Sequence, residues 1–123
     1  MGESTSAVEL SEALAEFSLG LKRTVDRLST MPLSRLNHRD PEGITPADRA
    51  FAVAQQLVDC TYELTGSAPP ALPRLRSHGV AAQLEVVGHD LIDQAAAANL
   101  RGPAAEAVKS LTSELRTLRT KHL

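Results

Sequence analysis

Glu85, His89 and Asp93 stand four residues apart in the stretch 80–98, VAAQLEVVGHDLIDQAAAA. Side chains at i and i+4 share one face of a helix, so a helix here stacks a carboxylate, an imidazole and a second carboxylate. That donor set suits a divalent metal, and Asp59 and Glu63 carry further oxygens on another predicted helix. The spacing departs from the Glu-x-x-His pairs that point inward in di-iron bundles. At about 100° per residue, His89 lies about 180° from the centre of the apolar stripe Val80, Leu84 and Leu91, so the ladder is expected to face water. No catalytic residue and no cofactor is expected on this ground. A metal-dependent or small-molecule-binding enzyme using Glu85, His89 and Asp93 is the alternative reading.

Other reactive residues are more isolated. Cys60 is the only cysteine and has no histidine at helical spacing. A reactive thiolate needs a helix N-terminus or a cationic neighbour, so Cys60 is expected to be a small, half-buried apolar residue. A single cysteine closes no internal disulfide, which fits a reducing compartment. His38-Arg39-Asp40 spells the kinase catalytic tripeptide without any of the surrounding kinase parts. Arg35, His38 and Arg39 form one basic group and Arg116, Arg119, Lys121 and His122 another; both are expected to be solvated charges. With two Phe, one Tyr and no Trp there is little for bases to stack on, and the net charge is −2, so nucleic-acid binding is not expected.

At 123 residues the chain is expected to be one domain, 1–123, able to bury a real core. Its apolar residues are mostly Ala, Leu and Val, which suits close-packed helices better than a sheet. No apolar run approaches the roughly 20 residues of a membrane span, and no basic-then-apolar leader opens the sequence, so a cytoplasmic protein is expected. Ten Arg against three Lys, with abundant Ala, is the usage of a GC-rich genome such as an actinobacterial one.

Periodicity predicts four helices, over about residues 7–29, 46–65, 74–98 and 103–121. Residues 1–5 read as frayed, and Ser6 with Glu9 as the capping box of the first helix. Leu10, Leu14, Phe17, Leu21, Val25 and Leu28 make its apolar stripe. The long connection 30–45 separates it from the second helix, with Leu33 and Leu36 tucked under as a short turn. Thr45-Pro46-Ala47-Asp48 is a strong helix start, and Gly66 a left-handed stop. GSAPPALP, residues 66–73, is a stiff connector; the next helix starts between Pro73 and Ser77 and ends near Asn99, before a turn at 100–102. Ala104, Val108, Leu111, Leu115 and Leu118 make a narrow heptad face on the last helix, which reads as the least buried. The expected fold is all-α: an antiparallel four-helix bundle, up-down-up-down, with a long loop between helices 1 and 2.

Some apolar residues miss these stripes. Val8, Ala15 and Leu19 lie about 120–160° from the first stripe, and Val86, with Ala82 and Ala97 near it, lies off the third. A second apolar line on a helix often meets a partner. The expectation is a non-enzymatic interaction module, a homo-oligomer or the binder of a protein partner, that associates through Val8, Ala15, Leu19, Ala82 and Val86, with no membrane contact.

Overall fold

The computed structural model describes residues 2–97 and 103–123, with side chains described for 8–97 and 104–123. It is all-helical, with no strand among the described residues. Among the described residues there are five helices: α1 (Gly2–Thr30), α2 (Leu33–Leu36), α3 (Pro46–Thr65), α4 (Val80–Ala97) and α5 (Pro103–Thr117). A 3₁₀ turn, Ser77–Gly79, leads into α4, and a π-turn, Leu118–His122, follows α5. The count exceeds the expected four because the Leu33–Leu36 turn closes as a short helix that buries Leu36.

α1 begins at Gly2, so residues 2–5 are helical rather than frayed, and Ser6 lies inside the helix where it cannot be its N-cap. Its buried face is Leu10, Ala13, Phe17, Leu21, Val25 and Leu28, joined by Thr24 and flanked by half-buried Leu14. The Thr24 hydroxyl donates to Gly20 O at 2.7 Å, which satisfies its proton within the helix. α1 packs on both α4 and α5. At the α4 contact Leu21 lies against Gly88: a methyl group built on Gly88 would stand 2.7 Å from Leu21 Cδ1 and closer still to Cδ2. Only a residue without Cβ lets the two helices approach so far.

α3 starts at the Thr45 cap. Asp48 N donates to Thr45 Oγ1 at 3.0 Å and Thr45 N donates to Asp48 Oδ2 at 3.1 Å, a reciprocal capping box with Pro46 in the first turn. It ends at Gly66, whose φ of 75° is left-handed. Upstream, Asp40 organises the 37–45 loop: its carboxylate accepts from Glu42 N, Ile44 N and the Arg49 guanidinium. The Arg49 hydrogen bond foremost, then the Ile44 amide, holds the Asp40 carboxyl below its ordinary value.

The connector after α3 corrects two expectations. It does not turn over; it runs back along α3. Leu72 N donates to Gln55 Oε1 at 2.8 Å, Arg74 lies over the Phe51 ring at 4.8 Å and bonds Asp48, and Ser77 bonds Asn37. Its residues thus meet α3 in reverse order and reach the level where α3 began. First, residues 74–76 stay outside any helix and α4 starts at Val80 rather than near residue 74, because that backbone is laid along α3 and Gln83 Nε2 holds Pro73 O at 2.9 Å. Second, α4 runs parallel to α3: Ala47 and Phe51 border one site with Val80 and Gln83, while Thr61 and Thr65 border another with Asp90 and Gln94. An up-down-up-down order is therefore replaced by one in which the second and third long helices point the same way. α5 in turn runs parallel to α1, since Gly20 faces Leu115 and Arg27 reaches Leu123. The expected end of the third helix at Ala98 and the turn at 100–102 lie outside the described residues.

The last helix buries more than a heptad line. Ala105 joins Ala104, Val108, Leu111, Leu115 and Leu118 in the core, and Leu123 closes the end. α5 is thus part of the core rather than a helix laid on it.

Candidate functional site

Between α1 and α4 runs an open groove of about 440 Å³. On α1 it is bordered by Ala15, Leu19, Lys22 and Asp26, and on α4 by Glu85 and His89. Ala15 and Leu19 of the second apolar line on α1 and two of the three residues of the α4 ladder therefore share one surface. The local cause is the Leu21–Gly88 approach. It presses the helix axes together at the groove floor and leaves the side chains that flank it pointing outward on both sides.

Each candidate partner-binding residue is exposed. Val8 is 55%, Leu19 50% and Val86 60% accessible, and Ala15 and Ala82 are exposed too. Val8, Ala15 and Leu19 lie on the side of α1 opposite Phe17 and Leu21, together with exposed Glu12, Lys22 and Asp26. Lys22 and Asp26 form an open i,i+4 pair at 3.9 Å, which contributes little in water. Exposed Val86 and Ala82 lie on the outer side of α4, with Asp93.

The three ladder residues do not converge on one point. Glu85, His89 and Asp93 are all exposed, and only the first two reach the groove. Among the described residues no group of three His, Cys, Asp or Glu stands close enough to hold a metal ion. Asp59 and Glu63 lie on α3 and do not border the groove; Asp59 accepts instead from Gln55 at 2.9 Å.

Cys60 is buried among core residues, deeper than the half-buried edge position expected. Burial, reinforced by the Glu63 charge, pushes its thiol up, the opposite of nucleophilic activation.

The basic residues at the far end are partly structural. Arg27 and Arg35 both donate to Leu123 O, at 2.8 and 2.6 Å. Arg119 donates to Gly20 O and Thr24 Oγ1, both at 2.9 Å, and so crosses from the π-turn into α1. Desolvation, then the nearby Arg23 and Arg116 charges, lowers its pKa. Periodicity missed this residue because a guanidinium at a chain end reads as solvated. The one available signal was Gly20 on the buried side of α1, which leaves a main-chain carbonyl accessible. Gln83 was also missed: its amide is buried, Nε2 holds Pro73 O, and Oε1 has no partner among the described residues.

No family model, curated protein or solved structure matches this chain. No helix among the described residues is long and apolar enough to cross a membrane.

Proposed function

We propose that this chain is a non-enzymatic interaction module that associates with a protein partner, in the first place with itself, through the outer face of α1 and the adjoining face of α4. The observation that carries the reading is the exposure of Val8, Leu19 and Val86, large apolar residues on the two helices that border the groove. Isolated exposed apolar residues are common, but here Leu19 and Ala15 border a single groove and Val8 continues their line along α1. The four long helices act as a bundle with one long crossover, the residue 66–79 connector, which serves as a rigid platform for that face. The single buried thiol accords with a reducing, cytoplasmic setting.

Light scattering of the whole chain over a concentration series tests the reading. A mass that rises with concentration, and that Leu19→Asp or Val86→Asp lowers, is the expected result. A strict monomer unaffected by either change removes self-association. The alternative, an enzyme working on the outer face of α4, rests on Glu85 and His89 at the groove. Elemental analysis with His89→Ala as control decides it: metal in stoichiometric amount, lost in the variant, would replace the present reading.

A further inference from the structure

The exposed line of α1 has an order that selects its own partner. Reading along the helix it is Val8, Glu12, Ala15, Leu19, Lys22 and Asp26, in steps of four and three, all exposed and all opposite the buried face. Such steps mark a seam that one further helix can cover. The charges of α1 are unevenly placed: Glu9, Glu12 and Glu16 fall in its first half, and Lys22, Arg23 and Arg27, with the single acid Asp26 among them, in the second. A parallel copy would set acid beside acid and base beside base. An antiparallel copy sets the acidic first half against the mostly basic second half.

We infer that the occupant is a second copy of this chain, with α1 packed antiparallel on α1 about a two-fold axis at the level of Phe17. This rests on the self-association reading above and specifies its geometry. A two-fold axis pairs residues equidistant from it, and each pair occurs twice. At this level Glu12 faces Lys22 of the second copy, and Ala15 faces Leu19 of the second copy, small against large. Val8 falls opposite Asp26 at the open ends, where Asp26 keeps its own Lys22. The neighbouring registers that preserve the seam lack this match. One heptad toward the N-terminus sets Glu12 against Ala15; one toward the C-terminus sets Leu19 against Lys22. Only the central register joins opposite charges and fills the space beside Ala15. The α4 flank, with Glu85 and His89, borders the same groove and leaves the seam of α1 open to the second helix.

The association is modest, because the apolar part of the seam is short and its ion pairs are exposed. Sedimentation equilibrium of the whole chain from about 1 µM to 1 mM covers the range such a contact occupies. Glu12→Lys and Lys22→Glu each replace two attractions per dimer with two repulsions, and each is expected to weaken dimerisation about tenfold. Mixed in equal amounts, the two variants restore the dimer. One chain then carries a base at both positions and the other an acid at both, so each pair again joins opposite charges. The doubly reversed chain dimerises like the original. Far-UV circular dichroism checks that the variants fold, as both positions are exposed. If the original chain dimerises but the reversals have no effect, or the mixture fails to recover, this geometry is overturned while self-association stands. If the original chain is monomeric throughout, both fall.

Discussion

Replacing Gly88 by Ala should destabilise the protein even though alanine is the better helix former. In an exposed helix the exchange gains about 1 kcal/mol. Here the new methyl group would lie 2.7 Å from Leu21 Cδ1 and 3.1 Å from Cγ, with Cδ2 nearer still, and Leu21 is only 2% accessible. Overpacking of this kind costs about 1–3 kcal/mol, so the net is a loss of about 1 kcal/mol, or about 4 °C in melting temperature for a chain of this size. The decisive measurement is a double-mutant cycle by urea unfolding. Leu21→Ala alone should cost about 2–5 kcal/mol by opening a cavity. In that background Gly88→Ala meets no clash and should stabilise by about 1 kcal/mol, so its sign reverses and the two sites couple by about 2 kcal/mol. The same effect of Gly88→Ala in both backgrounds would refute a clash with Leu21. Leu21 would then be sliding freely into the neighbouring groove, and the helices would not be held at this point.

Three further outcomes follow from the same geometry. Thr45→Ala removes half of the capping box and should cost about 1 kcal/mol, read as a lower urea midpoint at unchanged m-value. Asp40 has a folded-state pKa below its unfolded value, so its contribution is present above the unfolded pKa and is lost as pH falls through the folded one. Stability should thus decline on acidification below about pH 4, and Asp40→Asn should flatten that decline; an unchanged acid limb would refute the assignment. Cys60, buried and with its thiol pushed up, should react with iodoacetamide far more slowly in the folded protein than in urea at neutral pH. Equal rates would place it at the surface.

What could be read from the sequence was what depends on neighbours within a turn or two. Thr45 and Asp48 satisfy each other across three residues, so the start of α3 was legible from those two side chains. The buried line of α1 was legible because 3.6-residue periodicity is fixed by the backbone, and the same arithmetic located Val8, Ala15 and Leu19 on the opposite side. The direction of α4 was not legible. Three prolines stiffen a connector without saying whether it crosses over or turns back. Here the choice rests on bonds between residues far apart in the chain, Gln55 with Leu72 and Asp48 with Arg74. The same bonds hold residues 74–76 out of the helix that periodicity would have given them. For the candidate site, the exposure of each residue could be anticipated singly. That Ala15 and Leu19 share a groove with Glu85 and His89 could not, because it depends on which helix Gly88 meets.

Two buried glycines, Gly20 and Gly88, tie the core to the proposed interface. Gly20 lies against Leu115 and Arg119 of the α5 side, and Gly88 receives Leu21 from the α4 side. Together they leave α1 one rotation about its axis. Turning the helix by one residue would carry Lys22 to the place of Leu21 and set an ammonium group against a buried wall, which costs far more than the packing it would replace. The exposure of Val8, Glu12, Ala15, Leu19, Lys22 and Asp26 is thus a consequence of how α1 is seated, not an independent property of the surface. Changes on the outer line should therefore alter association and leave stability nearly unchanged. A change at Gly88 that shifts α1 should alter both, because it moves the seam along with the core.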